Sequence, residues 1–231
     1  VQTCALPIYH YDLGNDFYSR WLDKSMTYSS ALFNSDKESL EKAQENKYYN
    51  ICKNINPKPD DHLLEIGCGW GGFMEYAIKK YKVNVTGITI SKAQHDFTKK
   101  RLFEAGLADR AKVVLNDYRN QRGQFDGIAS IEMFEAVGEK YWPIYFSTLK
   151  NLMKTGAKST LQIITVAERL AEEGLNVGIV HSINGHDQMI NGVKHLDVFR
   201  HYYAKSRVRL DCNKLAYAGN CFMGYQMFNP H

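Results

Sequence analysis

The residues best suited to chemistry are Glu65-Ile66-Gly67-Cys68-Gly69-Trp70-Gly71-Gly72. Four glycines in six positions let backbone approach a ligand closely. A helix opening at Gly72 would aim free N–H groups and the positive end of its dipole at the same place. The loop differs from the dinucleotide fingerprint G-x-G-x-x-G in the acid that stands two residues before its first glycine.

This E-x-G-C-G-W-G-G loop resembles the S-adenosylmethionine loop of class I methyltransferases. The resemblance makes Gly67, Cys68, Gly69, Trp70 and Gly71 a cofactor cradle. It leaves Glu65 to orient the loop or to meet the sulfonium and amino end. The alternative is a glycine-rich turn in some other nucleotide binder. Two later stretches fall where such a cofactor needs them. In Thr89-Ile90-Ser91-Lys92-Ala93-Gln94 no acid stands ready for the ribose hydroxyls, but Thr89, Ser91 and Gln94 can make neutral hydrogen bonds. In Asn116-Asp117-Tyr118-Arg119, Asp117 could accept from an adenine amino group and Tyr118 could lie against the ring. Either stretch alone would read as a loop cap or a solvated turn.

The elements that must position these residues alternate. Strands are predicted at His62–Gly67, Val83–Thr89, Ala111–Leu115, Asp126–Ile131 and Ser159–Val166. Helices are predicted at Gly72–Tyr81, Lys92–Gly106 and Tyr141–Leu152, the last in a helical region opening at Glu135. A further helix over Ser39–Asn54 has Ser35-Asp36 as its expected cap. Near-continuous apolar strands alternating with helices predict an α/β fold: a doubly wound, Rossmann-like parallel sheet with helices on both faces. Ligands in such folds sit at the carboxyl ends of the strands, where all three stretches fall.

The 231 residues suit one domain. Residues 1–8 read as a non-native leader, because Val1–Ile8 matches the translation of a common sequencing adapter. Residues 9–231 then form a single domain: an N-terminal lid and helix at 9–56, a cofactor-binding core at 57–166 and a reduced C-terminal region at 167–231. A net charge of +4 is too mild to argue for nucleic acid, and no apolar run is long enough to span a bilayer. Five scattered cysteines and histidine spacings unlike ligand sets argue against a disulfide framework or a metal, and a reducing cytoplasm is the expected compartment. Lys79-Lys80 and Lys99-Lys100-Arg101 would permit docking on an anionic membrane face. Val193–Arg209 is also basic and reads as a solvated helix face.

Four ordered motifs carry a closer likeness: His10-Tyr11-Asp12-Leu13-Gly14-Asn15-Asp16-Phe17-Tyr18, Met26-Thr27-Tyr28-Ser29-Ser30-Ala31, Leu64–Gly72 and Ser130-Ile131-Glu132-Met133-Phe134-Glu135-Ala136-Val137-Gly138. Together they resemble the cyclopropane-fatty-acyl-phospholipid synthase family, which includes the mycolic acid cyclopropane synthases. The resemblance is dense from Tyr9 to about Val166. It implies an S-adenosylmethionine-dependent enzyme acting on the cis double bond of unsaturated phospholipid acyl chains at a membrane surface. The alkene attacks the sulfonium methyl, and proton loss from the resulting cation closes a ring. It further implies cofactor contacts at Tyr28, Ser29, Gly67, Gly69, Thr89, Gln94, Tyr118 and Arg119.

The family's base is a bicarbonate held by a Cys, a Glu, a His, a backbone carbonyl and a Tyr. The resemblance places Ser30, Glu135, Gln162 and Ile164 at the first four positions and matches the Tyr only loosely, near Lys214. Ser30 and Gln162 still hydrogen-bond, but Gln cannot titrate as His does. Product type, a ring or a methyl branch, is left open. A family insert that helps wall the acyl pocket is missing after Val166, and Ala167–Gly174 is short for a parallel crossover. Two other readings follow: an inactive family member that only binds cofactor, and a methyltransferase for a small soluble acceptor.

Overall fold

The computed structural model describes residues 14–20, 22–35, 37–163, 215–218 and 221–228. Its strands are β1 (His62–Ile66), β2 (Asn84–Thr89), β3 (Ala111–Leu115), β4 (Phe125–Ile131), β5 (Met153–Ile163), β6 (Leu215–Ala218) and β7 (Cys221–Phe228). They form one sheet in the order β3-β2-β1-β4-β5-β7-β6. The five strands from β3 to β5 run parallel, and β7 lies antiparallel to both β5 and β6. After a single helical turn at Asn15–Tyr18, the longer helices are α1 (Leu40–Ile55), α2 (Gly72–Tyr81), α3 (Lys92–Glu104) and α4 (Trp142–Leu152).

Alternation along β1 shows why both faces are covered. Leu63 joins Ile51, Cys52, Phe73, Met74, Ile78 and Leu102 in a core under α1, α2 and α3. Its neighbour Leu64 joins Ile128, Tyr145, Leu149 and Leu161 in a second core under α4. Successive strand residues point to opposite faces, so a strand buried on both sides must be apolar throughout. The doubly wound parallel core stands as the sequence predicts. Strand order reverses at β1, which is flanked by β2 and β4, and a crevice opens there beyond the carboxyl ends.

Three boundaries differ from the sequence reading by more than two residues. The cap of α1 is Ser39, whose Oγ accepts from Lys42 N; the Ser35 hydroxyl instead accepts from Lys37 N in a preceding turn. A capping oxygen must reach the second or third helical N–H, and Ser35 stands too early to do so. Asp36 lies outside the described residues. Strand β5 starts at Met153, which pairs Phe125, and its register jumps before Lys158 pairs Gly127. Gly156, at φ 80°, lies within the irregular stretch, which the sequence reading leaves between helix and strand. The region from Glu135 is two 3₁₀ turns, Phe134–Ala136 and Glu139–Tyr141, before α4 begins.

The leader 1–8, the Ala167–Gly174 crossover, the basic stretch 193–209 and Ile164 lie outside the described residues. No helix of the described residues is long and apolar enough to cross a membrane.

Candidate active site

The cavity at the strand reversal is lined by segments that follow four strands. After β1 come Gly67, Cys68, Gly69 and Trp70; after β2, Ile90 and Gln94; after β3, Asn116 to Arg119; after β4, Glu132 and Met133. Glu65 and Thr89 line it from the strand ends themselves, and Met26 to Ser29 close it from the N-terminal arm.

The glycine loop needs its glycines. Gly69 has φ 52°, and a Cβ added there would meet nothing within 4 Å, so the cavity keeps room against bare backbone. Gly71, at φ 84°, is the N-cap of α2. A Cβ there would lie 2.6 Å from Thr98 Cγ2 on α3, so Gly71 supports the cradle from behind rather than lining it. Thr98 Oγ1 donates to Gly69 O at 3.0 Å, which ties α3 to the loop.

Glu65 is 3% exposed. Burial pushes its carboxyl well above the usual carboxylate range, against the pull of Lys47 and Arg101. Its buried Oε2 has no hydrogen-bond partner among the described residues. An acceptor left so beside a glycine loop fits a ligand that brings its own donor, such as an α-amino group. The Cys68 thiol is raised well above its ordinary value by burial and then by Glu65, so it is not a nucleophile at neutral pH.

Thr89 Oγ1 donates to Gln94 Oε1 at 2.8 Å, presenting a neutral polar pair to the cavity. Ser91 departs from its expected role. It is fully buried, caps α3 by accepting from Gln94 N, and does not line the cavity. Asp117 is held below the usual range, first by the hydrogen bond from Arg119. Tyr118 stands edge-on to Tyr145 at 5.2 Å, and the Arg119 guanidinium lies over its ring at 5.9 Å.

The arm packs on the glycine loop. Tyr18, Tyr28 and Trp70 form an aromatic group: Tyr18 and Trp70 are 4.7 Å apart and Tyr28 and Trp70 6.3 Å. Trp70 Nε1 donates to Asn15 Oδ1 at 2.7 Å. Arg101 is not free for a membrane, because its side chain is 19% exposed and it donates to Glu75, to Ser25 O and to Trp70 O. It therefore joins α2, α3, the arm and the loop at one point. Burial opposes ionisation of Glu75, but hydrogen bonds from Lys79 and Arg101 and their charges outweigh it and hold the carboxyl below its ordinary 4.5.

Replacing Arg101 with Met leaves two carbonyls and a half-buried carboxylate short of a donor. The expected cost is about 3 kcal/mol, or a melting point lower by roughly 6–12 °C. A carboxyl depressed on folding contributes stability above its ordinary pKa and loses it as pH falls through the folded value. Melting curves of Arg101→Met should therefore lose part of the wild-type acid sensitivity. An unchanged melting point would show that the arm is held by other contacts.

Of the four expected catalytic residues, the structure brings two together, and around a third group that was given no role. Ser30 N donates to Glu132 Oε1 at 2.8 Å. Gln162 Nε2 donates to the same oxygen at 2.8 Å and to Ser30 O at 3.3 Å. Glu132 N donates to Gln162 O, at a backbone φ of 48°. Glu132 lines the cavity; Ser30, Gln162 and Glu135 do not. Glu135 sits half-buried in the first 3₁₀ turn. Two further residues escaped the sequence reading. Lys47 is fully buried and bonds Ser29 Oγ, and Tyr48 OH pairs with Thr27 Oγ1 at 2.7 Å. The signal for Glu132 was an acid at the end of β4, beside the strand reversal. Lys47 falls on the helical spacing of Leu40, Ala43, Tyr48 and Ile51, which gives it a face but no role.

A sequence model described as mycolic acid cyclopropane synthetase matches residues 5–186. The "Probable fatty acid methyltransferase" of Pseudomonas putida is 39% identical over 150 residues, covering 64% of this chain and 38% of its own. The cyclopropane-fatty-acyl-phospholipid synthase of Escherichia coli strain K12 is 43% identical over 145 residues, covering 63% of this chain and 37% of its own. The crystal structure of mycolic acid cyclopropane synthase CmaA1 complexed with SAH and CTAB superposes with a TM-score of 0.66 at 32% identity, covering 73% of this chain and 60% of that one. The chain thus spans little more than a third of the length of these two curated relatives. Matched over most of its length, with the methyltransferase sheet and glycine loop in place, the chain belongs to the mycolic acid cyclopropane synthetase family.

Proposed function

We propose that the chain is one methyltransferase domain that transfers a methyl group from S-adenosylmethionine to the cis double bond of unsaturated phospholipid acyl chains. The single observation that carries this is the unpartnered Glu65 oxygen beside the glycine loop, inside a cavity lined by the carboxyl ends of the parallel strands. When bound, S-adenosylmethionine supplies an electrophilic methyl on a sulfonium. The chain's residues do the rest. Glu65 takes the amino group, and Gly67 and Gly69 let backbone meet the chain of the donor. Thr89 and Gln94 take the ribose, while Asp117, Tyr118 and Arg119 hold the adenine end. Tyr28 and Trp70 present aromatic surface, which tolerates a developing carbocation and excludes water from it. The relatives named above act on lipid chains, which supports the substrate class. We place the protein in the cytoplasm, peripheral on the inner membrane face.

The test is mass spectrometry of unsaturated phospholipid vesicles after incubation with protein and S-adenosylmethionine. One added methylene mass per double bond is expected. Unchanged lipid, with S-adenosylhomocysteine still bound, would overturn the lipid reading. Methylation of a soluble acceptor but not of vesicles would move the assignment to a small-molecule methyltransferase.

A further inference from the structure

We propose that Glu132 is the general base of the transfer, and that this chain uses its own carboxylate in place of a bound bicarbonate. The inference rests on the lipid reading above for the identity of the substrate. Of the anion-holding positions that the resemblance implies, Ile164 and Lys214 lie outside the described residues, and the two described donors do not fit an external anion here. Ser30 N and Gln162 Nε2 are the donors such an ion would need, and both are directed at Glu132 Oε1, each at 2.8 Å. A bicarbonate approaching them would meet a carboxylate of its own charge. Gln162 suits that carboxylate, because one amide nitrogen carries two protons and serves both Glu132 Oε1 and Ser30 O. A neutral imidazole has a single N–H to offer.

The backbone supports the placement. Glu132 is the first residue beyond β4 and holds φ 48°, a left-handed conformation that disfavours a side chain. Its N–H donates to Gln162 O, so β5 fixes it through backbone as well as side chain. The result is a carboxylate lining the cavity together with Gly67, Tyr28 and Glu65. Glu65 and Glu132 then divide the work: Glu65 takes the donor's amino end, and Glu132 faces the acyl chain.

The chemistry balances without a further reagent. The alkene π pair forms the new C–C bond as the C–S pair leaves with sulfur, and a carbocation remains on the chain. Glu132 removes a proton from the newly added methyl, which sits on the neighbour of the cationic carbon, and that C–H pair closes the three-membered ring onto the cation; a proton lost instead from a carbon next to the cation leaves a new double bond. The proton passes from Glu132 to solvent.

The test pairs turnover with anion binding. Activity on dioleoylphosphatidylglycerol vesicles is measured in carbon-dioxide-depleted buffer with and without sodium bicarbonate. Wild-type turnover should not change with bicarbonate. Glu132→Gln should lose at least 100-fold in turnover and keep S-adenosylhomocysteine affinity within about threefold. Glu132→Gly should be partly rescued by sodium formate or bicarbonate, which a merely structural glutamate would not permit. Bicarbonate should also raise the melting point of Glu132→Gly and leave that of wild type unchanged. Wild-type turnover that needs bicarbonate, a wild-type melting shift with bicarbonate, or a fully active Glu132→Gln would each overturn the proposal. Glu132→Gly that neither binds nor is rescued by either anion would do so too. Absence of wild-type turnover under every condition would sink the lipid reading instead, and the melting shifts would still decide whether Glu132 fills the anion's place.

Discussion

Gly71→Ala is expected to damage both the fold and the glycine loop. Two costs add. The residue holds φ 84°, which costs an L side chain about 1 kcal/mol. The new Cβ also lies 2.6 Å from Thr98 Cγ2, a distance that real contacts essentially never show, and overpacking of that kind costs roughly 1–3 kcal/mol. The sum, roughly 2–4 kcal/mol, lowers the melting point by about 5–15 °C for a domain of this size. The site suffers as well, because displacing Thr98 disturbs its hydrogen bond to Gly69 O inside the cradle. S-adenosylhomocysteine affinity should fall at least tenfold. A second variant separates the two costs: Thr98→Ser removes Cγ2 and keeps the hydroxyl. Gly71→Ala should therefore cost clearly less in the Thr98→Ser background, with the dihedral share remaining. Equal costs in both backgrounds would show that the contact with Thr98 is not what constrains the loop.

Glu65→Gln should separate ligand binding from stability. In the ligand-free protein, burial favours the protonated carboxyl, so an amide of similar shape should leave the melting point within a few degrees. The ligand's ammonium, by contrast, favours the carboxylate and pulls the pKa down. A charge-assisted hydrogen bond of about 1.5–3 kcal/mol is lost with the amide, so S-adenosylhomocysteine affinity should fall roughly 10- to 100-fold. The sign of the pH dependence follows. Wild-type binding releases a proton, so affinity rises with pH above the ordinary carboxylate value of 4.5 and levels off once the ligand-free carboxyl ionises. Calorimetry in two buffers of different ionisation enthalpy would read that proton directly. Glu65→Gln should release none. A wild type that binds without proton release would mean that Glu65 only orients the loop.

These two residues also mark how far one-dimensional reading reaches. The loop that holds Glu65 and Gly71 was legible, since an acid two residues before a glycine run that ends a strand and opens a helix is a local pattern; that Gly71 backs the loop rather than lining the cavity was not. The five parallel strands were legible for the same reason: apolar runs and 3.6-residue spacing are written in neighbouring residues. The irregular start of β5 was not, because Lys154-Thr155-Gly156 carries turn chemistry that only pairing with β4 overrides. Ser91 was misread because a helix cap and a ribose contact use the same hydroxyl, and only the direction of Gln94 N tells them apart.

By itself, the sequence determined the fold class, a glycine loop between a strand and a helix, and the family, because each rests on short-range spacing repeated in order along the chain. Tertiary structure alone decided which groups face one another. Arg101 lies far from Ser25 in sequence and looks like part of a surface cluster, yet it fastens the arm to the loop. Lys47, on the buried side of α1, reaches Ser29 on the arm. Above all, Ser30, Glu132 and Gln162 come from the arm and from two strand ends, and only adjacency of β4 and β5 closes them on one carboxylate. Hydrogen bonding acts over about 3 Å of space and takes no account of separation along the chain, so that grouping is written only in the folded form.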